Sequence, residues 1–238
     1  MKIGVLQTGP VADELVGDFG EYDRVFADYL GPKDPGFSFQ GWCVYEGELP
    51  ASPDEADAWI ISGSKYGVYE GHDWIDPLKA FIRRIAADRI PLIGVCFGHQ
   101  IMAEALGGQA VKFSGGWGVG RHEYKTMNMP SWAPETPETI AVHAIHQDQV
   151  VKRPADATAV AASEFCENAA LIYGDPEHPY AISIQPHPEF SDKFVRDLIA
   201  VRLDTFPEHL RTRALADMGQ NLHRDWAADW FLRFLKLK

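Results

Sequence analysis

The chain has 238 residues, 46% of them hydrophobic, which is enough to bury a full core as one globular domain. Its formal net charge of −12 argues against nucleic acid or an anionic membrane surface as a partner, because the non-specific electrostatic force would be repulsive. No apolar run approaches the roughly 20 residues that a membrane-spanning helix needs, and residues 2–6 show no signal-peptide pattern, so we expect a cytoplasmic protein.

The first half of the chain alternates predicted strands and helices. Residues 3–6 form a short apolar run typical of a buried parallel strand, and the apolar positions of residues 21–30 recur at helical spacing. Residues 37–45 and 58–61 predict the second and third strands. Residues 74–87 again carry apolar side chains three and four positions apart, so they predict a crossover helix that leads into the next strand.

The second half of the chain begins with a different pattern. Short segments separated by prolines and acidic residues predict an antiparallel extension, at residues 109–113, 120–124, 139–142, 157–162 and 171–173. Residues 180–185 predict one more strand, which ends in a turn stiffened by two prolines. From residue 192 onward, two helices separated by Pro207 are predicted. The aromatic face at residues 226–235 is expected to pack inward, and it is also the first place to look for an interface.

These elements predict an α/β fold organised as a three-layer sandwich. A mostly parallel, flavodoxin-like central sheet is expected to carry a small antiparallel extension and C-terminal helices. We expect a single domain over residues 1–238, with a core of about residues 1–195 and a helical extension of about residues 196–238. The sequence contains no low-complexity linker that would divide it.

The cysteines and histidines do not indicate a disulfide framework or a metal site. Cys43, Cys96 and Cys166 are an odd number in a chain of this length, which indicates reduced thiols. No Cys-x-x-Cys pair or His-Glu-x-x-His motif occurs, and the nine histidines show no compact ligand spacing. We therefore expect no metal and no cofactor.

Residues 91–100 join an apolar strand to a helix through Cys96. Gly94 and Gly98, two positions to either side, leave the room that a strained strand-to-helix turn needs. Such a turn lifts the side chain above the sheet edge, places the sulfur at a helix N-terminus that favours the thiolate, and turns the N–H of Phe97 toward a developing oxyanion. The alternative is a small buried residue that ends a core strand, which is common for cysteine.

Two further segments offer partners for a cysteine nucleophile. The loop after the third predicted strand brings the backbone of Gly63 and Ser64 to the same sheet edge, as a second oxyanion donor or simply as a glycine-containing loop. His187 and Glu189 follow the last predicted strand two positions apart, so both side chains project to one side. They supply a base and the carboxylate that orients it, which would complete a triad with Cys96. A lone His-Pro-Glu is otherwise a common surface turn.

Together these motifs resemble those of the class I glutamine amidotransferases, whose triad is built on an α/β sheet. The segments that carry the resemblance are residues 62–64, 94–100, 146–150 and 185–190. The resemblance covers about residues 1–195 and extends in particular to the amidotransferase domain of GMP synthase and its free-standing relatives. The chain departs from the family where a Gly-Gly-Pro loop is usual, since it reads Gly63-Ser64-Lys65 there.

The resemblance implies an enzyme that attacks the side-chain amide of glutamine with Cys96, releases ammonia and hydrolyses a γ-glutamyl thioester. It implies that His187 is the general base and acid and that Glu189 orients it. The other implied site residues are the oxyanion donors around Gly63, Ser64 and Phe97, and the substrate-binding residues Gln100, Gly118, His146 and Gln147.

The acceptor of the ammonia is not visible in the sequence. No Gly-x-x-x-x-Gly-Lys-[ST] motif occurs, so we do not expect an ATP-activating domain within these residues. One hypothesis is a glutaminase subunit that docks on a separate ammonia-accepting synthase. A second is a free-standing hydrolase of γ-glutamyl peptides. A third is a non-catalytic regulatory binding protein, against which the competent residues at all three triad positions argue.

Overall fold

The computed structural model describes residues 1–237, so Lys238, the last residue of the predicted helical extension, lies outside the described residues. The strands are β1 (Lys2–Gln7), β2 (Ser38–Cys43), β3 (Ala58–Ile61), β4 (Leu92–Val95), β5 (Gln109–Lys112), β6 (Gly118–Thr126), β7 (Thr139–His146), β8 (Asp148–Lys152), β9 (Ala157–Ala162), β10 (Ala170–Asp175) and β11 (His178–Ile184). The α-helices are α1 (Asp13–Phe19), α2 (Tyr22–Leu30), α3 (Ile75–Ala87), α4 (Phe97–Ala105), α5 (Asp192–Val201), α6 (Glu208–Ala216) and α7 (Arg224–Leu235).

A nine-stranded mixed sheet forms the centre of the described structure. Its strand order is β2-β1-β3-β4-β11-β10-β9-β6-β7. Neighbouring strands from β2 to β11 run parallel, and from β11 onward each strand is antiparallel to the next. Strands β5 and β8 pair in a separate antiparallel sheet. The predicted α/β class, with a parallel central region and an antiparallel extension, is confirmed.

Alternate side chains of the central strands point to opposite faces of the sheet and divide the core into two apolar clusters. On one face, Val5 of β1 and Ile60 of β3 belong to a cluster with residues of α2, α5 and α7. On the other face, Leu6 and Ile61 belong to a cluster with residues of α3 and α4. Full burial of each such side chain contributes about 1.5–3 kcal/mol relative to exposure. The period of two therefore produces the three layers.

Several elements differ from the sequence-based expectation. The second strand ends at Cys43 and not at residue 45, because residues 44–46 turn into a short 3₁₀ helix. Helix α1 was not predicted, because its 7 residues are too few to show a helical period, although Leu15, Val16 and Phe19 pack toward the core. Strand β8 was also not predicted. It pairs only with β5, outside the main sheet, and its sequence alternates too little to mark a strand.

Residues 192–237 contain three helices, one more than predicted. Helices α5 and α7 are the two predicted ones and Pro207 lies between them, but α6 follows Pro207 directly and was missed. Helix α6 has no sequence signal because it buries only Ala214. The predicted aromatic face packs inward, since Trp230, Phe231 and Phe234 of α7 are each at most 2% exposed.

The residue before α7 binds the edge of the main sheet. The His223 N–H donates to Ala141 O of β7 at 2.7 Å, and His223 Nδ1 accepts from the Ala141 N–H at 3.0 Å. Strand β7 is the last strand of the sheet order, so this pair of hydrogen bonds satisfies backbone groups that a further strand would otherwise occupy. None of the helices in residues 1–237 combines the length and apolar character needed to cross a bilayer.

Candidate active site

Cys96 occupies the turn between β4 and α4. Its backbone has φ 53° and ψ −102°, a region that costs a non-glycine residue conformational energy and that persists only where the surroundings enforce it. Two hydrogen bonds hold the turn to neighbouring strands: the Cys96 N–H donates to Ile184 O at 2.9 Å, and the Gly98 N–H donates to Ser62 O at 3.1 Å. The side chain is 4% exposed.

The glycines on either side of Cys96 are required by close packing. A Cβ at Gly94 would lie 2.6 Å from Gly98 O, and a Cβ at Gly98 would collide with the carbonyl oxygen of Ile61 on β3. Backbone atoms cannot give way as the end of a flexible side chain can. The sequence-based prediction that the turn needs small neighbours is therefore confirmed by the packing.

His187 lies in the turn that follows β11, directly beside Cys96. The His187 Nδ1–H donates to Glu189 Oε1 at 2.6 Å. The Cys96 thiol donates to Ile145 O at 3.9 Å, and its sulfur lies close enough to His187 for a charge on it to raise the pKa of the imidazole. The His187 N–H donates to His143 O of β7 at 2.7 Å. The ring stacks on Phe190, with centroids 4.1 Å apart and planes 4° from parallel. The orientation of the imidazole is thus fixed by a carboxylate, a backbone contact and an aromatic face.

The charges around His187 favour its protonated form. Burial lowers the pKa of the imidazole, but the carboxylate of Glu189 and the thiolate of Cys96 act in the opposite direction and raise it to about 10. An imidazole with a raised pKa keeps its proton at neutral pH and holds it beside the sulfur. The arrangement can therefore present a sulfur nucleophile together with a proton donor.

The loop after β3 lies against the same two side chains. A Cβ at Gly63 would stand 2.6 Å from His187 Cε1. Ser64 Oγ donates to Thr8 O at 2.6 Å, which anchors the loop to the end of β1. The N–H of Phe97, the first residue of α4, has no acceptor within its helix. Both predicted sources of oxyanion donors therefore lie at the sheet edge that carries the cysteine.

A cavity of about 320 Å³ opens next to the sulfur. Of the residues predicted to bind substrate, Gln100, His146 and Gln147 line it together with Cys96, whereas Trp117 lines it in place of Gly118. Burial lowers the pKa of His146 to about 3, which keeps that ring neutral at physiological pH. The remaining cavity wall carries both signs of charge, from Lys65, Glu70, Lys112, Asp148 and Arg202.

Hydrogen bonds orient the side chains on the floor of this cavity. Gln100 Nε2 donates to Asp148 O at 3.0 Å and to Gln185 Oε1 at 3.2 Å. Gln147 Nε2 donates to Phe113 O at 3.2 Å. Within residues 1–237, no group of three or more His, Cys, Asp or Glu side chains is placed to hold a metal ion.

A family model described as glutamine amidotransferase class-I matches residues 46–197. The chain belongs to this family. It is 28% identical over 210 residues to gamma-glutamyl peptidase 5 of Arabidopsis thaliana, an alignment that covers 84% of this chain and 81% of that protein. It is 30% identical over 154 residues to a glutamine-hydrolyzing GMP synthase subunit of Methanopyrus kandleri, which covers 60% of this chain and 76% of that protein.

A solved structure described as a glutamine amidotransferase shares the fold along the whole chain. A glutamine amidotransferase from Thermotoga maritima superimposes with a TM-score of 0.76 at 21% identity, over 99% of both chains. The fold match thus includes residues 198–237, which lie beyond the amidotransferase family match and which we call the C-terminal segment.

Two arginines of the C-terminal segment reach the candidate site, and neither was predicted from the sequence. Arg224 donates from Nε to Pro188 O at 2.9 Å and from Nη2 to Glu189 O at 3.0 Å. Its guanidinium also lies over the Tyr29 ring, 5.6 Å from the centroid. Arg202, which directly follows α5, lines the cavity. Neither arginine belongs to a motif, so no local signal in the sequence marks them.

Proposed function

We propose that the protein is a cysteine-dependent hydrolase that cleaves the γ-amide bond of glutamine or of a γ-glutamyl compound. The observation that carries the proposal is the Cys96–His187–Glu189 arrangement, in which a hydrogen-bonded imidazole and carboxylate lie beside the thiol at the C-terminal edge of the parallel strands. Membership of the amidotransferase family supports the same reaction class.

In the proposed reaction, the Cys96 thiolate attacks the γ-carbonyl carbon and the carbonyl oxygen becomes an oxyanion. The N–H of Phe97 and a backbone N–H of the loop at Gly63 and Ser64 stabilise this charge. The tetrahedral intermediate collapses as the His187 imidazolium protonates the departing nitrogen, so an amine or ammonia leaves and a γ-glutamyl thioester remains.

The neutral imidazole then acts as a base. His187 takes a proton from water, the hydroxide attacks the thioester, and glutamate leaves with regeneration of the Cys96 thiolate and the imidazolium. Glu189 keeps Nδ1 protonated and stabilises the positive charge in both steps. We propose that Gln100, His146, Gln147 and the backbone near Gly118 hold the amino and carboxylate groups of the glutamyl part.

Two forms of this function differ in what receives the released nitrogen. A glutaminase subunit would pass ammonia to a separate synthase, as the similarity to a glutamine-hydrolyzing GMP synthase subunit suggests. A free-standing γ-glutamyl peptidase would release an amino acid or peptide, as the longer alignment with gamma-glutamyl peptidase 5 suggests. Both use reduced Cys96, which agrees with the cytoplasmic location that we propose.

The first experiment measures glutamate release by the pure protein from glutamine, γ-glutamyl-cysteine and glutathione. We expect Cys96-dependent hydrolysis, abolished in Cys96→Ala and retained in Cys43→Ala, whose thiol lies away from the site. Peptide cleavage with negligible glutamine hydrolysis would eliminate the subunit form. Labelling of Cys96 by the glutamine mimic diazo-oxo-norleucine tests the regulatory alternative, which predicts no labelling and no hydrolysis.

A further inference from the structure

Arg202 stands where two cavities of the site meet. The larger cavity, of about 320 Å³, contains Cys96 and Gln100. A narrow adjoining cleft of about 20 Å³ contains His187 and Tyr22. Arg202 lines both of these spaces, so its side chain lies at the passage between the sulfur and the imidazole sides of the site.

In the proposed reaction the larger cavity must hold both halves of the substrate, because the adjoining cleft of about 20 Å³ has room for about one water molecule. Gln100, His146 and Gln147 line only the larger cavity, where the glutamyl part would bind. His187 protonates the departing nitrogen, so the leaving group must extend toward the side of the site that His187 lines. Arg202 on this boundary is placed to contact the leaving group.

Arg202 has no ion-pair partner among residues 1–237. Its side chain is half-buried, and neither Glu70 nor Asp148, the two acids that line the larger cavity, forms an ion pair with it. Burial raises the pKa of the Tyr22 hydroxyl and the charge of Arg202 acts against this shift, which agrees with a guanidinium that faces the cleft. Lys65 lines the same spaces but is exposed, with its ammonium over the Tyr66 ring.

A half-buried guanidinium without a counter-ion favours a ligand that carries a carboxylate, which arginine binds through two parallel hydrogen bonds. Ammonia, the leaving group from glutamine, has no carboxylate, so Arg202 cannot stabilise it through an ion pair. An amino acid or a short peptide leaves with its own carboxylate. The charge at this position therefore distinguishes between leaving groups.

We propose that Arg202 binds the carboxylate of the leaving group, so that the preferred substrates are γ-glutamyl amino acids and short γ-glutamyl peptides with a free C-terminal carboxylate. This inference rests on the proposed function and narrows its substrate class. Arg202 also lies beyond the family match at residues 46–197, so it is a feature of this chain that the family model does not describe.

The test compares substrates that differ only in the charge of the leaving group. Hydrolysis of γ-glutamyl-glycine and of γ-glutamyl-glycinamide is measured with the full-length protein, and a neutral γ-glutamyl anilide reports the chemistry alone. Because a charge-assisted pair contributes about 1.5–3 kcal/mol, we expect the wild type to prefer the free carboxylate by about 10- to 100-fold in kcat/KM. In Arg202→Gln this ratio should fall toward one, and Arg202→Lys should give an intermediate ratio.

Arg196→Gln is the matched control, because it removes the same charge from an exposed position on the same helix, α5. The control should keep the wild-type ratio. Three results would overturn the inference: a wild-type ratio near one, an unchanged ratio in Arg202→Gln, or faster hydrolysis of glutamine than of γ-glutamyl-glycine. The proposed function would still stand in each case, provided that the anilide is hydrolysed and that this hydrolysis depends on Cys96. Failure to hydrolyse any of these compounds, or full activity in Cys96→Ala, would overturn both.

Discussion

Two regions of the molecule hold the turn that carries His187 and Glu189, and only one of them lies within the residues that the family model matches. From the sheet, the His143 carbonyl accepts the His187 N–H within the matched residues. From the C-terminal segment, Arg224 binds the carbonyls of Pro188 and Glu189. The candidate catalytic residues thus lie within the family match, whereas the turn that carries two of them is also held by a segment outside that match.

The largest expected effect on kcat comes from a substitution within the residues that the family model matches. Glu189→Gln keeps the size of the side chain but removes the charge that holds the His187 tautomer and stabilises imidazolium. We expect kcat to fall by about 10³- to 10⁴-fold, as for the equivalent change in other nucleophile–histidine–acid triads. Steady-state hydrolysis of the γ-glutamyl anilide measures it, and the exposed Glu177→Gln serves as the control. A loss below tenfold would contradict the role proposed for Glu189.

A smaller effect is expected from the C-terminal segment. Arg224→Ala leaves two carbonyls of the catalytic turn without their donor, so the turn loosens and we expect kcat to fall by about 10- to 100-fold with little change in KM. Arg233→Ala is a matched control on the same helix, because Arg233 also donates to two carbonyls, those of Trp132 and Ala133, away from the site. Equal losses in the two variants would mean that Arg224 acts only through general stability.

The change in the free energy of unfolding at acid pH tests whether the family-matched residues and the C-terminal segment unfold together. Burial lowers the pKa of His99 and of His146 to about 3 and that of His122, which also faces Arg213 of the C-terminal segment, to about 4. In the unfolded chain these histidines become protonated near pH 6.5, whereas in the folded protein they stay neutral at that pH. The free energy of unfolding therefore falls as the pH drops below about 6.5. At pH 6 the loss is about 1 kcal/mol for each histidine.

His187 acts in the opposite sense. Its raised folded pKa adds stability that is fully present below about pH 6.5 and is lost as the pH rises toward about 10. Denaturant unfolding between pH 7 and pH 5, followed by tryptophan fluorescence and by far-ultraviolet circular dichroism, measures the net loss. One shared transition at every pH indicates that the regions unfold as a unit, and a separate acid-sensitive transition would show that the C-terminal segment detaches first.

The smallest effect is expected at Ser64. Its backbone, and not its hydroxyl, is proposed to face the oxyanion, and Ser64→Ala removes only the hydrogen bond to Thr8 O. We expect kcat/KM to fall by less than about threefold, whereas loss of an oxyanion donor costs about 10²- to 10³-fold. A loss in that larger range would mean that the hydroxyl itself contributes to the reaction.

Most of the parallel half of the sheet could be predicted from the sequence, because buried strands such as β3 and β4 are short apolar runs with clear turns after them. Helices α1 and α6 could not, since α1 has only 7 residues and α6 buries a single apolar residue. The pairing of β5 with β8, set apart from the main sheet, depends on contacts across about 40 residues of sequence that no local pattern specifies.

The same distinction between local patterns and long-range contacts applies to the candidate site. Cys96, His187 and Glu189 could be selected because their motifs are local and their chemistry is specific. Arg224 could not, because its contacts with the catalytic turn span 35 and 36 positions of sequence and arise only when α7 packs against α2 and the sheet. The catalytic roles themselves stay predictions until the variants are measured.

The contact between His223 and Ala141 has a consequence for solubility. A sheet whose last strand exposes free N–H and C=O groups offers a template on which another chain can add a strand. Here the imidazole and backbone of His223 occupy the N–H and C=O groups of Ala141 on β7. Removal of residues 219–237 would therefore leave backbone groups of β7 free to pair with a strand of another chain. Such a truncated chain should self-associate even where its candidate catalytic residues are intact.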